Sequence, residues 1–397
     1  MPGPLDGIRI VDVSQVAFGP FATMILADQG ADVVKIEPPG IGESTRRPSF
    51  ERGGLTAVFA NYNRNKRGMA VDITQPEGLK IVQKLVADAD AFVQNWRSGV
   101  AERNSLGEAD LRKVKPDLIY CSLSGYGPTG PYAQRRVYDA VIQGLTGMPA
   151  VQKNPDFPMP DLVRHLVADK ASALFAAQAI TAALFARDRG AGGQHIEVPM
   201  IDASLAFFWP DGMLRQTFIG GDVSPGATTT DSYRLWHTKD GQIIYLLATQ
   251  IEHEGFFRAL GHPEWIDDPR FGTTEARADM DNRAALGALV EEAIRSMTTE
   301  ELLQRMIDND VPATRVLELE EVLKDPQIVH NNCVLEFEHP TAGRYRQAGP
   351  VARFDATPQD PRRYMPPLLG EHTEEILGEC GYSAEDLEDL RSKGVIP

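Results

Sequence analysis

The fold is decided by residues 5–37, which read LDGIRIVDVSQVAFGPFATMILADQGADVVKIE. Residues 8–13 form a short apolar, β-branched run that is typical of a buried strand. Residues 21–30 have the apolar spacing of a helix and end at a glycine, and residues 31–36 have the composition of a second buried strand. A strand–helix–strand unit of this length predicts a parallel sheet with a right-handed crossover, whose ligands bind at the carboxyl ends of the strands.

The turn after the first predicted strand lacks the glycines of a dinucleotide site. A G-x-G-x-x-G turn lets the backbone approach a pyrophosphate, whereas residues 14–20 of this chain read SQVAFGP. We therefore expect a nucleotide-like ligand other than NAD at this position.

Composition and charge exclude several classes of partner. The 397 residues suggest two domains. The formal charge of −16, from 56 acidic and 40 basic residues, argues against nucleic acid and anionic membranes, which bind basic surfaces. Three widely spaced cysteines, Cys121, Cys333 and Cys380, predict a reduced, cytoplasmic protein. Neither a signal peptide nor an apolar run of about 18 residues is present in the sequence, so we expect no membrane span.

Alternating strand and helix signals up to about residue 221 predict a large α/β domain. Residues 41–62 are rich in Gly, Ser, Thr, Pro and Arg and predict a long loop over the sheet edge. Helices are predicted at 77–89, 108–114, 171–187 and 201–208, and strands at 91–94, 117–122 and 194–198. The helix at 171–187 is almost entirely apolar, so we expect it to be buried on most faces.

A polar segment at 222–232, DVSPGATTTDS, predicts a linker to a smaller α+β domain. The second half of the chain predicts antiparallel strands within 234–248, helices from 252 to about 309, strands within 334–354 and short helices at 373–379 and 384–392. We predict a large domain of residues 1–221 and 330–397 and a small domain of residues 222–329.

Asp169 is the candidate catalytic carboxylate, because it directly precedes the long apolar helix. One interpretation is an N-cap or first-turn aspartate that accepts backbone N–H bonds, worth about 1 kcal/mol. The other is a functional carboxylate at a helix start, where free N–H groups also stabilise a developing oxyanion. The two interpretations are compatible.

Residues 61–68, NYNRNKRG, are the clearest basic cluster, and predict either a solvated turn or a phosphate clamp. Further arginines at loop or strand-end positions could supplement a clamp: Arg46, Arg47, Arg97, Arg103, Arg135 and Arg136. The dipeptide Tyr138-Asp139 by itself predicts a surface hydrogen bond. The histidines lack metal-ligand spacing, and neither a Walker loop nor a G-x-S-x-G elbow occurs.

Several segments, in order and spanning almost the whole chain, resemble the class III CoA-transferase family. They are PLDGIRIVDVSQVAFGPFATMILADQGADVVKIEPPG, NRNKRGMAVDITQPEG, SGYGPTGPY, RRVYDAVIQGLTG, GGQHIEVPMIDAS, DDPRF and PPLLGEHTEEIL. The resemblance implies an enzyme that moves CoA from an acyl-CoA donor to a carboxylic acid, without a metal or NAD. It also implies an interlocked homodimer, with CoA lying across a Rossmann-like large domain and its acyl end at the inter-domain cleft.

The resemblance also implies roles for individual residues. The nucleophile of the family falls on Asp169, which attacks the thioester to give a mixed anhydride and then an enzyme–CoA thioester. Tyr138 and Asp139 occupy the second acidic position of the pocket. The positions that contact CoA fall on Val16, Ala17, Val71, Thr74, Asn95, Trp96, Arg97, Arg103 and Arg136.

The same comparison leaves alternatives open. Formyl-CoA transferases have a glycine-run loop that residues 222–232 lack, and a Gln and a Trp where this chain has Ala17 and Pro48, so a formyl/oxalate pair is not expected. α-Methylacyl-CoA racemases in the same family have a histidine where Tyr138 stands, and tyrosine is a poor base near neutral pH. A non-catalytic CoA-binding or scaffold protein is the third alternative.

Overall fold

The computed structural model describes residues 3–153, 157–223, 226 and 233–397, which form two compact units. The first unit contains the described chain up to Gln152 together with Pro160–Pro210 and His330–Pro397. The second contains the described residues of Asp211–Val329 and a short segment before Pro160. Most of the predicted linker 222–232 lies outside the described residues, so the structure does not test it. The predicted domain boundaries therefore stay a prediction.

The first unit is built on one parallel sheet. Its strands are β1 Arg9–Asp12, β2 Asp32–Glu37, β3 Lys66–Ala70, β4 Ala91–Gln94, β5 Ile119–Ser124 and β6 Gln194–Pro199. They lie in the order β3-β2-β1-β4-β5-β6, and every neighbouring pair is parallel. This order is that of a doubly wound, Rossmann-like sheet. The predicted α/β class with a parallel sheet is confirmed.

Successive residues of the central strands point into different hydrophobic cores. Ile10 and Val33 pack into the core on one face, whereas Val11 and Val34 pack into the core on the other. All four are buried. Side chains alternate across a strand, so the strands of a sheet covered on both faces have apolar residues at successive positions. The apolar residues of 8–13 therefore follow neither the helical period nor a strict alternation, and this pattern is typical of a central strand.

Helices cover both faces of the sheet. They are α1 Phe18–Asp28, α2 Ala57–Asn63, α3 Pro76–Ala87, α4 Val100–Arg103, α5 Glu108–Val114, α6 Asp139–Thr146, α7 Met148–Val151, α8 Val167–Ala186 and α9 Met200–Gly212. Helix α1 begins three residues earlier than predicted and includes Pro20 in its first turn. A proline is tolerated there because the first N–H groups of a helix have no partner within it.

The predicted loop at 41–62 is wrong for its second half. Strands Glu51–Arg52 and Leu55–Thr56 form a two-stranded ribbon that leads directly into α2. The hydroxyl of Thr56 accepts a hydrogen bond from the backbone N–H of Phe59 at 3.3 Å and caps this helix. Strand β3 then occupies residues that were expected to form a turn. Its sequence, KRGMA, begins with two adjacent charged residues and has no β-branched residue, so the sequence does not identify it as a buried strand.

Helix α8 differs from the prediction that it is buried on most faces. Its residues Ala173, Ala176 and Ile180 are buried against the sheet. The side chains of Leu174, Phe175 and Phe185 are exposed. One side of this apolar helix therefore lacks cover in the single chain. In the part of the chain that the structure describes, no helix is long and apolar enough to cross a membrane.

The remaining elements largely match the predictions. The second unit contains the antiparallel strands β7 Trp236–His237, β8 Gln242–Tyr245 and β9 Ala313–Arg315, with α10 Gln250–Ala259, α11 Thr274–Ala278, α12 Met280–Ser296, α13 Thr299–Asp308 and α14 Leu319–Val322. After α15 Pro326–His330 follow the hairpin of β10 Val334–His339 and β11 Gly343–Ala348 and the helices α16 Thr373–Glu379 and α17 Ala384–Ser392.

Candidate active site

A cavity of about 310 Å³ lies at the carboxyl end of the sheet. Its walls include the turns that follow β1, β4 and β5, at residues 15–16, 95–98 and 124–126. The order of the strands reverses between β1 and β4, so the connections that leave these strands diverge and open a crevice. The cavity therefore occupies the position at which the sequence predicts a nucleotide-type ligand.

Side-chain hydrogen bonds, rather than glycines, shape the turn after β1. Asp12 Oδ1 accepts bonds from the backbone N–H of Ser14 at 2.9 Å and from its hydroxyl at 2.5 Å. Asn95, after β4, accepts from the N–H of Gln15 at 2.9 Å and donates to its carbonyl at 2.8 Å. These bonds join the turns on the two sides of the crevice, so that one wall of the cavity is held by both strands.

The basic cluster at 61–68 is neither a solvated turn nor a phosphate clamp. Its cations are buried, and each pairs with a carboxylate: Lys66 with Asp12 at 3.0 Å, Arg64 with Asp28 at 2.7 Å and Arg67 with Asp32 at 2.7 Å. Arg46, named as a supplement to a clamp, likewise pairs with Glu37 at 2.7 Å. Because these cations already form ion pairs inside the fold, a phosphate group of a ligand has to bind to other residues.

Asp12 and Lys66 are both fully buried below the crevice. Burial raises the pKa of Asp12, but Lys66 and Lys35, with hydrogen bonds from Ser14 and Thr23, outweigh this and hold the pKa at about 2. Burial lowers the pKa of Lys66 to about 8, and the attraction of Asp12 opposes the shift. Both groups are therefore charged at neutral pH and form an internal ion pair.

Asp169 lies in the first turn of α8 and lines the cavity. It is 8% exposed. The N-cap of α8 is Leu166, whose side chain makes no capping hydrogen bond, so Asp169 takes the first-turn position of the two that were predicted and is not the N-cap. Burial, and then the negative charge of Asp139, raise the pKa of Asp169 to about 7. A carboxylate with this pKa is a stronger base and nucleophile than a solvated aspartate.

Asp139 positions the start of α8. Its Oδ2 accepts a hydrogen bond from the backbone N–H of Asp169 at 3.0 Å, and its Oδ1 accepts from Gln143 Nε2 at 2.5 Å. Gln143 in turn accepts from the N–H of Val163 at 2.9 Å. One of the first-turn N–H groups of α8, that of Asp169, is therefore occupied and is not free for an oxyanion. The predicted surface hydrogen bond is also wrong, because Asp139 is 3% exposed, whereas Tyr138 is 71% exposed.

The structure brings most of the predicted site residues together. Those that line the cavity are Val16, Asn95, Trp96, Arg97, Arg136, Tyr138 and Asp169. Ala17 is buried next to them at the start of α1. Val71 is buried after β3, Thr74 lies in an exposed turn, and Arg103 is exposed at the end of α4. These three residues do not line the cavity, and their contacts with a ligand stay predictions.

The cavity carries positive charge on a chain that is acidic as a whole. Arg97, Arg135 and Arg136 line it and are exposed, and none of them forms an ion pair within the described chain. The guanidinium of Arg135 stacks over the ring of Tyr132, with its central carbon 3.9 Å from the ring centroid. Because these three arginines are available, the cavity suits an anionic ligand.

Among the described residues, no group of three or more His, Cys, Asp or Glu side chains is placed to hold a metal ion.

Sequence reasoning missed two residues that surround the carboxylates. Gln143 is buried and orients Asp139; its place four residues further along the same helix was the signal that could have identified it. Tyr62 is partly buried, and its pKa is raised by burial and by the nearby charges of Asp169 and Asp139. No sequence pattern connects Tyr62 with these residues, because their proximity depends on how α2 packs.

Comparisons with known proteins agree over almost the whole chain. Residues 5–373 match the sequence model of CoA-transferase family III. Human succinyl-CoA:glutarate CoA-transferase is 34% identical over 99% of this chain and 90% of its own length. Succinyl-CoA–D-citramalate CoA-transferase of Chloroflexus aurantiacus is 31% identical, over 100% of this chain and 98% of its own. The crystal structure of a CaiB/BaiF family protein from Brucella suis is 30% identical, covers 96% of this chain and 100% of its own, and has a TM-score of 0.82.

Proposed function

The chain belongs to CoA-transferase family III and moves CoA from an acyl-CoA to a carboxylic acid, and we propose that Asp169 is the nucleophile of this reaction. The observation that carries the proposal is a buried carboxylate, with a pKa raised to about 7, in the wall of the cavity at the sheet's reversal point. The sequence-based identification of the family and of the enzyme class is confirmed.

The proposed reaction proceeds through two covalent states of Asp169. The carboxylate oxygen attacks the thioester carbonyl, the carbon–sulfur bond breaks, and an aspartyl mixed anhydride and CoA thiolate form. The thiolate attacks the aspartyl carbonyl, which releases the donor acid and leaves an enzyme–CoA thioester. An acceptor carboxylate then attacks this thioester, and the same two steps run in reverse. Each cycle exchanges one carboxylate for another, so no net proton is consumed.

The surrounding residues suit this chemistry. Asp139 is a positioning residue, because it holds the backbone N–H of Asp169 and its charge adds to the effect of burial. Arg97 and Arg136 are exposed, line the cavity and have the forked donors that phosphate groups of CoA require. We propose that they bind the CoA substrate. That the reaction needs neither metal nor NAD, and that the enzyme is cytoplasmic, stay predictions.

The proposed donor is succinyl-CoA, with a dicarboxylic acid as acceptor. The human and Chloroflexus relatives are named for succinyl-CoA and for acids with more than one carboxylate. Arg135 supports this choice, because it lines the cavity and is held over Tyr132, where a second carboxylate could meet a forked donor. A panel of mono- and dicarboxylic acids, each assayed with succinyl-CoA, measures this preference as ratios of kcat/KM.

Hydroxylamine trapping tests the covalent mechanism. When the enzyme is incubated with succinyl-CoA and hydroxylamine, we expect a hydroxamate on Asp169, because hydroxylamine attacks both the anhydride and the thioester at the aspartyl carbonyl. Peptide mass spectrometry locates the adduct. The peptide that contains Asp139 serves as the matched control and should stay unmodified, since this neighbouring carboxylate is hydrogen-bonded on both oxygens.

Two other outcomes would support the alternatives instead. Deuterium from solvent that enters Cα of a 2-methylacyl-CoA without an acceptor acid, with no adduct on Asp169, would indicate a racemase. Tight binding of CoA without an adduct and without exchange would indicate a CoA-binding protein.

We further propose that the enzyme is a homodimer whose subunits are interlocked, as the family resemblance implies. Leu174, Phe175 and Phe185 of α8 and Phe207 and Trp209 of α9 are large apolar side chains that are exposed in the single chain. Large apolar side chains exposed on consecutive helices are typical of interaction surfaces. A second copy of the chain is the proposed occupant.

Subunit exchange tests the interlocked arrangement. Two differently tagged preparations, mixed in native buffer, should form no mixed dimers, because linked rings separate only when a subunit unfolds. Mixed dimers should appear after joint unfolding and refolding, which is the control. Native mass spectrometry that finds monomers, or mixed dimers without denaturation, would contradict the arrangement.

A further inference from the structure

Val16, in the wall of the cavity, has an unusual backbone conformation. Its φ angle is 73°, in the left-handed region that β-branched residues rarely adopt. It lies in the turn after β1, at the position where dinucleotide sites have glycines, and glycine takes this conformation without strain. Something in this fold must therefore stabilise Val16 in the conformation that glycine would adopt freely.

The partner of Val16 is a buried carboxylate from another segment. Glu43 Oε2 accepts a hydrogen bond from the backbone N–H of Val16 at 2.6 Å, and Glu43 is 2% exposed. Glu43 follows β2 and is itself tied to that strand, because its N–H donates to Glu37 Oε2 at 3.0 Å. Hydrogen bonds to a carboxylate are stronger than those between neutral groups.

Lys35 balances the charge of Glu43 and holds the other side of the turn. Its Nζ lies 3.7 Å from Glu43 Oε1, and neither side chain has any exposed surface. The same ammonium donates to the carbonyl of Ser14 at 2.8 Å. Glu43 Oε1 has no hydrogen bond within the described chain, so this ion pair is its compensation for burial. Lys35 and Glu43 thus bind the carbonyl and the N–H of one tight turn.

We propose that Glu43 is a positioning residue that holds Val16 in the left-handed conformation and so shapes the wall of the cavity on which acyl-CoA binds. In a dinucleotide site, glycine allows the left-handed conformation because it has no side chain. Here a carboxylate from another segment stabilises the same conformation by a hydrogen bond. This inference rests on the proposed CoA site. Glu43 does not line the cavity and does not lie at the end of a strand of the sheet. Its role explains how the site forms without the G-x-G-x-x-G turn.

Glu43→Ala tests this role through binding rather than chemistry. We expect the KM for acyl-CoA and the Kd for CoA to rise about tenfold, the effect of losing a hydrogen bond to a charged acceptor, with a smaller change in kcat. Glu43→Gln keeps an acceptor for the N–H of Val16 and should show a smaller rise; it also serves if the alanine variant fails to fold. Glu51→Ala, at an exposed glutamate of the same connection, is the matched control and should leave KM unchanged.

A second substitution separates positioning from simple destabilisation. In the Glu43→Ala background, Val16→Gly should lower KM again several-fold, because glycine adopts a positive φ without the hydrogen bond. A merely structural role for Glu43 would lower the melting temperature, leave KM unchanged and show no rescue, and this result would overturn the inference. Trapping of the wild-type intermediate is independent of these variants, so failure of the proposed mechanism is distinguishable from failure of this inference.

Discussion

Replacing Asp169 by alanine is expected to lower kcat/KM for CoA transfer by about 10⁴-fold or more, a loss typical of removing a covalent nucleophile. The affinity for CoA should change little, because the arginines of the cavity remain. Asp169→Asn keeps the shape of the side chain and should lose activity to a similar degree, since an amide cannot attack a thioester. Steady-state kinetics and titration calorimetry with CoA measure the two effects separately.

A matched control removes a carboxylate from the first turn of another helix. Asp281 is exposed in the first turn of α12, and Asp281→Ala should keep full activity. An Asp169→Ala enzyme that retained more than about one tenth of the wild-type kcat/KM would contradict covalent catalysis by this residue.

The pH profile of the wild-type enzyme is the companion measurement. The attacking form of Asp169 is the carboxylate, and its pKa is raised by burial and by Asp139 to about 7. Activity is therefore full above this pKa and falls as the pH decreases through it, by about tenfold per unit on the acid side. Asp139→Asn removes the negative charge, lowers the pKa of Asp169 and should move the acid limb to lower pH.

Replacing Lys66 by methionine is expected to lower the free energy of unfolding by about 3–5 kcal/mol, because it leaves a buried charge without its partner. Asp12 would lose the cation 3.0 Å from its carboxylate. The carbonyl of Pro20 and the side-chain oxygen of Asn63 would also lose a donor, at 2.9 Å and 2.8 Å respectively. Urea unfolding at equal protein concentration measures the difference as a shift of the midpoint.

A surface pair and a double variant serve as controls. Lys113→Met removes the same type of side chain from an exposed pair with Asp110 and should cost about 0–1 kcal/mol. Adding Asp12→Asn to Lys66→Met removes both charges, so the loss should be smaller than the sum of the single losses. Equal midpoints for Lys66→Met and the wild type would contradict a stabilising role for this pair.

The sequence predicted the first strand, the first helix and the second strand because each carries its signal locally. Strands that are covered on both faces are mostly apolar and rich in β-branched residues, and the segments 8–13 and 31–36 of this kind lie on β1 and β2. The short helices α16 and α17 were predicted with their observed bounds for the same reason. Family resemblance then favoured Asp169 as the nucleophile, because its local sequence left a first-turn aspartate and a functional carboxylate both open.

The buried charges could not be predicted from the sequence. Lys66, Asp139 and Glu43 are ionisable residues, a class that is mostly exposed to solvent in folded proteins, and nothing near them in the sequence indicates burial. Each is buried because a partner distant in sequence neutralises or hydrogen-bonds it: Asp12, the N–H of Asp169 and Lys35 respectively. Pairing of this kind has no periodicity and depends on where separate strands meet.

By itself, therefore, the sequence determined the parallel α/β framework, the family and the residue that bears the proposed chemistry, since apolar runs and family segments are local. Only the tertiary structure decided how the turn after β1 is made without its glycines, and which cations line the cavity and which pair with carboxylates inside the fold. Arg97 and Arg136 line the cavity, whereas Lys66 is consumed inside the fold. The physical reason is that a charged side chain can bind a ligand only when it does not already form an ion pair inside the fold. Which residues form such pairs depends on how the elements pack.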